Sequence, residues 1–264
     1  MPNALIVEDE PEANKLLSML VQLRGYRTDS AFTGGEALEK IERNPPDIVF
    51  LDLMLPDING YEICEALKAR KDRTLIPVVI ITARVAVENR IHCFCVGADY
   101  YVAKPYTPDQ IFQAMDDADV WRRRVEAEES EGEFPFEARD EGETLRHLAQ
   151  LRSQLLAGTP LGLDAVCRVS ESLRHLSNQA DAWGQKHGAR VIASLSYRIE
   201  SDRVVLTLLD KSGWFRNDAR SPAERWPDEI ARGRFDAVDV DRTLGSVTFV
   251  VSYVFNEPSN GEGH

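Results

Sequence analysis

Ile48-Val49-Phe50-Leu51-Asp52-Leu53-Met54-Leu55-Pro56 decides the fold of the first half of this chain. Four apolar residues in succession read as a strand buried on both faces, as in the middle of a parallel sheet. The run ends on a carboxylate, and Pro56, Asp57, Asn59 and Gly60 then turn the chain toward a helix. In open α/β sheets, ligands sit just beyond the carboxyl ends of the strands. Asp52 is therefore expected to point into a site.

Other strand ends aim at the same place. Ala4-Leu5-Ile6-Val7 leads into Glu8-Asp9-Glu10, and Pro77-Val78-Val79-Ile80-Ile81 leads into Thr82. A fourth apolar run, Tyr100-Tyr101-Val102-Ala103, delivers Lys104 and Pro105. Acids, a hydroxyl and an amine at four strand ends suit reversible phosphoryl transfer to a carboxylate. At a separation of ~4 Å and an effective dielectric of ~20, each carboxylate pair repels by roughly 4 kcal/mol. Such a cluster needs a divalent cation, and Mg²⁺ suits an oxygen site that also holds phosphoryl oxygens. Lys104 and Thr82 can take the remaining phosphoryl oxygens by charge and hydrogen bond.

These residues carry a family resemblance. Residues 1–120 resemble the receiver domain of a bacterial two-component response regulator. The matching pieces are Val7-Glu8-Asp9-Glu10, Leu51 to Pro56 with Asn59-Gly60, Ile81-Thr82-Ala83, and Gly97-Ala98-Asp99-Tyr100-Tyr101-Val102-Ala103-Lys104-Pro105. Singly, each has a bland reading: Asp52 a helix cap, Lys104 a solvated loop lysine, Tyr101 a strand aromatic. Jointly, those readings would have to explain four coincidences in order along one domain. The resemblance implies a doubly wound parallel sheet in the order 2-1-3-4-5. It implies that Asp52 accepts phosphate from a histidine kinase or phosphotransfer protein, with Glu8 and Asp9 as the acid pair. Mg²⁺ would be held by Asp9 and Asp52 directly and by the Met54 carbonyl. Thr82 and Tyr101 would be the paired switch residues and Lys104 the phosphate-sensing amine.

With 264 residues, 43% of them hydrophobic, the chain has material for more than one core. No run of about 18 apolar residues could span a membrane, and no basic-then-apolar leader is visible. Cys64, Cys93, Cys95 and Cys167 form no C-x-x-C pair, so a reduced cytoplasmic protein is expected. The net charge of −13 divides as −5 over 1–115, −5 over 116–139 and −3 over 140–264. Neither a basic patch nor a helix-turn-helix pattern stands out after residue 140. A protein or nucleotide partner is therefore expected, and DNA is not.

A helix beginning near Thr107 runs into Arg122-Arg123-Arg124 and the acidic run Glu126 to Glu133. Residues 121–142 are expected to be a charged helical extension or linker. Beyond it, Leu145, Leu148, Leu151 and Leu155 form one helical stripe, broken by Gly158-Thr159-Pro160, and a longer helix follows from about Leu163 to Gln185. A hairpin around Glu200-Ser201-Asp202, a polar, arginine-rich, Pro-containing stretch from Asp210 to Arg242 and a last alternating strand, Ser246 to Phe255, complete an α+β domain of helices on an antiparallel sheet. Residues 257–264 read as a disordered tail.

The order over 143–256 resembles the histidine-kinase-like ATPase fold of the small anti-sigma-factor kinases, in degenerate form. Glu171 stands where that family has its base, but His175 replaces the metal-holding Asn. Asp210 follows a strand as the adenine-reading Asp would, yet Trp214 stands where a second glycine is wanted. Ala231-Arg232-Gly233-Arg234-Phe235 echoes the phosphate lid. His147 or His175 as phosphotransfer histidines, and Arg216 with Arg220 as a cyclic-dinucleotide site, are further readings. Trp183, Trp214 and Trp226 read as core or interface aromatics. The expected function is a response regulator whose phosphorylation at Asp52 controls a protein-binding output domain, with a homodimer as one form of readout. The alternative is a receiver-gated serine kinase, anti-sigma regulator or histidine phosphotransferase.

Overall fold

In the computed structural model, the described residues are 1–264 except 71, 85, 87, 88, 90, 91, 95, 127–129, 138–140, 189, 215–234, 242 and 254–264. The four apolar runs become parallel strands β1 (Asn3–Val7), β3 (Ile48–Leu51), β4 (Val78–Thr82) and β5 (Tyr100–Ala103), joined by β2 (Arg27–Ala31), a polar and partly exposed segment. Their spatial order is β2-β1-β3-β4-β5. In register, Val7 lies beside Leu51, Leu51 beside Ile80, and Ile80 beside Tyr101. That register brings the ends of β1, β3, β4 and β5 to one edge of the sheet.

Alternation along the buried strands supplies two cores. Leu5, Val7, Val49, Leu51, Val78 and Ile80 pack with Ile41, Ile63 and Leu67. Ala4, Ile6, Ile48, Phe50, Val79 and Ile81 pack on the other face with Leu17, Val21, Ile111 and Met115. Helices α1 (Pro11–Leu23) and α4 (Pro108–Glu126) cover one face, and α2 (Gly34–Arg43) and α3 (Gly60–Lys68) the other. Each fully buried aliphatic side chain contributes ~1.5–3 kcal/mol. The starts of these helices are locally encoded. Pro11 opens α1, the Thr33 side chain accepts the Glu36 N–H at α2, and Asn59 accepts the Tyr61 N–H at α3.

The second sheet is antiparallel in the order β6-β7-β8-β10-β9. Its strands are β6 (Glu131–Glu137), β7 (Ile192–Ile199), β8 (Arg203–Asp210), β9 (Ala237–Asp241) and β10 (Ser246–Ser252). Leu195 and Tyr197, Val204, Leu206 and Leu208, and Val247, Phe249 and Val251 are buried at every second position. Helix α6 (Leu163–His187) buries Val166, Val169, Leu173, Leu176 and Ala180, and Gly188 closes it in the left-handed region at φ 62°.

Two strands depart from the sequence expectation. Glu131–Glu137 was expected in a charged helical extension, and Ala237–Asp241 in the polar, arginine-rich stretch from Asp210 to Arg242; both are edge strands of this sheet. Edge strands commonly carry charge on the open side, so their acids mask the strand pattern while one neighbour supplies the ladder. Gly132 fits here because a Cβ would fall 2.6 Å from the Tyr197 ring.

Two compact units result: residues 1–129 with 140–158, and 130–139 with 159–264. Helix α5 (Glu141–Gly158) therefore belongs with the parallel sheet, although its leucine stripe was expected to open the second domain. A leucine stripe shows that a helix face is buried, and says nothing of its partner.

Candidate functional site

The β1 end sets Glu8 and Asp9, and the β3 end sets Asp52. One carboxylate oxygen from each lies within 4.8 Å of the others. Glu8 and Asp52 are buried, while Asp9 is exposed. Lys104, past the end of β5, reaches across to donate to Glu8 Oε2 at 2.6 Å and Asp52 Oδ2 at 2.5 Å. Burial raises the Glu8 carboxyl above its ordinary value, and Lys104 only partly opposes this. Burial pulls the Lys104 amine down, but its bonds to Asp52 and Glu8 prevail and hold it above the usual lysine value.

One ammonium against three carboxylates leaves two uncompensated negative charges in a small, half-dry volume. Three hard oxygen donors at this spacing fit a divalent cation, so the triad could bind a metal ion. The fourth ligand implied by the family is the Met54 carbonyl; what the structure gives is the Met54 N–H donating to Asp52 Oδ1 at 3.0 Å, which fixes the carboxylate rotamer.

Supporting residues that the sequence reading passed over hold this arrangement. Asn14 donates to the Glu8 carbonyl at 3.2 Å and accepts from Ser30 at 2.6 Å, tying the acid turn to α1 and β2. Asp57 was read as a turn residue. Its two oxygens accept the Gly34 and Gly35 N–H groups at 2.7 and 2.9 Å, pinning the loop after Asp52 to the start of α2. Those backbone bonds, Gly35 first, hold its carboxyl below the usual range. Gly60 lets the same loop close, since a Cβ would fall 2.4 Å from the Asp52 carbonyl oxygen. The hydrogen-bonding capacity of short polar side chains was the signal available for Asn14 and Asp57.

Thr82 is fully buried at the end of β4, and its hydroxyl accepts the Arg84 N–H at 3.3 Å. Tyr101 is half-buried on β5 and donates to the Arg84 carbonyl at 2.5 Å. Thr82 and Tyr101 thus hold opposite sides of one residue, Arg84, which the sequence reading did not single out. The Lys104–Pro105 peptide is cis.

The candidate nucleotide residues of the second unit are not assembled in this way. Glu171 and His175 lie on the exposed side of α6, where His175 Nε2 meets Gln179. Asp210 is buried, and its Oδ1 accepts from the N–H and hydroxyl of Ser212 in its own turn. Trp214 is 2% exposed, a core residue. Residues 216, 220, 226, 231–234 and 257–264, which carried the cyclic-dinucleotide, lid, third-tryptophan and tail readings, lie outside the described residues.

Residues 4–116 match the response regulator receiver domain family. The transcriptional regulatory protein BaeR of Escherichia coli is 32% identical over 177 residues, 66% of this chain and 68% of that protein. The chain belongs to the response regulators. TcrA of Mycobacterium tuberculosis, a transcriptional regulatory protein, is 40% identical over 111 residues, 42% of this chain and 43% of its own length. The DNA-binding response regulator MtrA of Mycolicibacterium smegmatis is 27% identical over 219 residues, 77% of this chain and 92% of that protein.

These relatives overturn the expected output of this response regulator. A protein-binding domain with DNA excluded, or a kinase or phosphotransferase in its place, does not agree with relatives named as transcriptional and DNA-binding regulators. The exclusion rested on counting charges along the chain. Arginines scattered in sequence can converge on one folded surface, so linear counting cannot exclude a phosphate-binding face. Among the described residues, no helix is long and apolar enough to cross a membrane.

Proposed function

We propose that this response regulator takes a phosphoryl group from the phosphohistidine of a histidine kinase or phosphotransfer protein onto Asp52. The observation that carries this is Lys104 bridging Glu8 and Asp52 at 2.6 and 2.5 Å inside a three-carboxylate cluster. An Asp52 oxygen attacks phosphorus, the phosphorus–nitrogen bond of the donor breaks, and the leaving imidazole takes the electron pair. Glu8, Asp9, Asp52 and the Met54 carbonyl would hold Mg²⁺, whose charge would offset that of the phosphoryl oxygens. Lys104 exchanges a carboxylate oxygen for a phosphoryl oxygen, and the Thr82 hydroxyl turns to donate to another. Water attack on phosphorus later restores the carboxylate.

Beryllofluoride with Mg²⁺, which mimics the acyl phosphate, tests the assignment. Wild type should bind it and Asp52→Ala should not; equal binding by the variant would remove Asp52 from the role.

The reading that the relatives support for the output is transcriptional. The matches to BaeR and MtrA run to 177 and 219 residues, well past the receiver match at 4–116. Genomic fragments in a mobility-shift titration should be retained more tightly with beryllofluoride than without. Affinity should fall steeply with salt, as counterion release requires. Retention that does not depend on Asp52, or none at low salt, would refute a DNA output.

A further inference from the structure

The loop from β3 to α3 carries Asp52 at its start and Met54 just beyond, so its shape sets where the oxygens of the site stand. Backbone bonds fix its two ends. The Asp52 N–H donates to the Val7 carbonyl at 2.9 Å, and the Gly60 N–H to the Leu53 carbonyl at 3.2 Å. Between those ends the loop is tied to another element through Asp57. This carboxylate bridges two successive N–H groups in the first turn of α2, Gly34 on Oδ1 at 2.7 Å and Gly35 on Oδ2 at 2.9 Å.

An exposed carboxylate at a helix start is ordinarily a cap and nothing more. Helix α2 already has its own cap in Thr33, which accepts the Glu36 N–H at 3.1 Å. Asp57 differs in belonging to the loop of the site and in bonding a helix other than the one it precedes. The contact is also close. A Cβ on Gly34 would fall 2.7 Å from Ile58 Cβ and 2.9 Å from Ile63 Cδ1, so loop and helix meet at a distance that only glycine permits.

Divalent cations differ in how much of this precision they need. Mg²⁺ demands near-ideal octahedral geometry at ~2.0–2.1 Å, whereas Ca²⁺ accepts oxygens at ~2.3–2.6 Å in flexible arrangements. Glu8, Asp9 and Asp52 present side-chain oxygens, which adjust by rotation. The Met54 carbonyl is backbone and moves only with the loop. A loop that wanders by a few tenths of an ångström therefore spoils a Mg²⁺ site and leaves a Ca²⁺ site usable.

We propose that the Asp57 clamp on α2 makes the acid cluster select Mg²⁺ over Ca²⁺, by holding the Met54 peptide in place. This rests on the reading above, in which the cluster and the Met54 carbonyl hold a divalent cation. Asp57 is a positioning residue, since both its oxygens are turned to α2.

Calorimetric titration of the full chain with Mg²⁺ and, separately, with Ca²⁺ tests this. Asp57→Asn keeps the shape of the side chain but turns an N–H donor toward one of the two glycine N–H groups. Its Mg²⁺ affinity should fall about tenfold, as loss of an outer partner of a metal ligand does. Its Ca²⁺ affinity should fall by no more than about twofold, because that ion tolerates a looser cage. The lost charge acts alike on two cations of equal charge, so it cancels in the ratio. Gly35→Ala strains the clamp from the other side, where a Cβ would fall 3.3 Å from Asp57 Oδ2, while alanine favours the helix. It should reduce the preference for Mg²⁺ severalfold without lowering the urea midpoint, which a merely structural clamp would not do. Thr33→Ala should lower the urea midpoint and leave the preference unchanged. An equal loss of preference in Thr33→Ala would make the effect one of helix stability and overturn the proposal. If both cations weaken alike in Asp57→Asn and Gly35→Ala, selection by the clamp is refuted and the metal site stands. If Asp9→Ala binds Mg²⁺ as tightly as wild type, no cation sits at the cluster, and the metal reading and the clamp fail together.

Discussion

Lys104 bridges Glu8 and Asp52 in the resting site, and its ammonium offsets one of three clustered negative charges. Removing it acts in opposite directions on the two ligands of the site. Lys104→Met should bind Mg²⁺ more tightly, by about tenfold or ~1.4 kcal/mol, because a like charge has left the cation's surroundings. The same variant should bind beryllofluoride more weakly, since a charge-assisted hydrogen bond contributes ~1.5–3 kcal/mol. Titration of each ligand measures both, and a lysine outside the site would move neither. Glu8, Asp9, Asp52, Thr82 and Lys104 were legible as residues at strand ends, because parallel sheets put functional groups there. Arg84 was not legible, because its backbone takes part and its side chain does not.

At the scale of elements, the loop from β3 to α3 is fastened at both ends by geometry that tolerates little change. Gly60 sits where a Cβ would fall 2.4 Å from the Asp52 carbonyl oxygen and 2.8 Å from Leu53 Cα. Gly60→Ala should destabilise the protein by ~1–3 kcal/mol in urea titration, as overpacking against backbone does. It should also weaken beryllofluoride binding by displacing Asp52, and an unperturbed variant would contradict the close approach. Lys68 supplies a second test. Its amine donates to the Thr74 and Ile76 carbonyls at 2.8 Å and to Asp99 Oδ2 at 2.7 Å, all out of water. Asp99 Oδ2 also accepts the Val78 N–H at 2.8 Å, which joins α3 to the starts of β4 and β5. Lys68→Met strands a buried carboxylate and should cost about 3–5 kcal/mol in the same titration. A loss below 1 kcal/mol would show that the pair is solvated. In the sequence Lys68 reads as an ordinary helix-terminal lysine, since its burial depends on carbonyls presented by a different segment.

At the scale of the whole molecule, the chain divides into two compact units that exchange a segment in sequence: 130–139 joins the second unit and 140–158 the first. Ligands of the acid cluster bind the folded first unit and should stabilise it by mass action alone, about 2.7 kcal/mol at a hundred times the dissociation constant. Scanning calorimetry with Mg²⁺ and beryllofluoride should therefore raise one unfolding transition and leave a second in place. A single transition that moves as a whole would show that the units unfold together. Asp52→Ala should abolish the shift.

The sequence by itself determined the four apolar strands of the parallel sheet and the cluster at their carboxyl ends, while the strand order was implied by the family resemblance and the polar β2 (Arg27–Ala31) carried no pattern of its own. Strands buried on both faces are written as continuous apolar runs, and the chemistry follows immediately at their ends. It also determined the alternating inner strands of the second sheet, whose burial repeats every two residues. Only tertiary structure made edge strands of Glu131–Glu137 and Ala237–Asp241, because half of an edge strand's environment is water and its pattern is correspondingly polar. Only tertiary structure placed α5 on the β5 edge. The leucine stripe of that helix announces burial, but the surface it meets is set by Gly97, Tyr100 and Asp117, distant in sequence and matched to Arg146, Gln150 and Arg152 by shape and hydrogen bonds that no local pattern records.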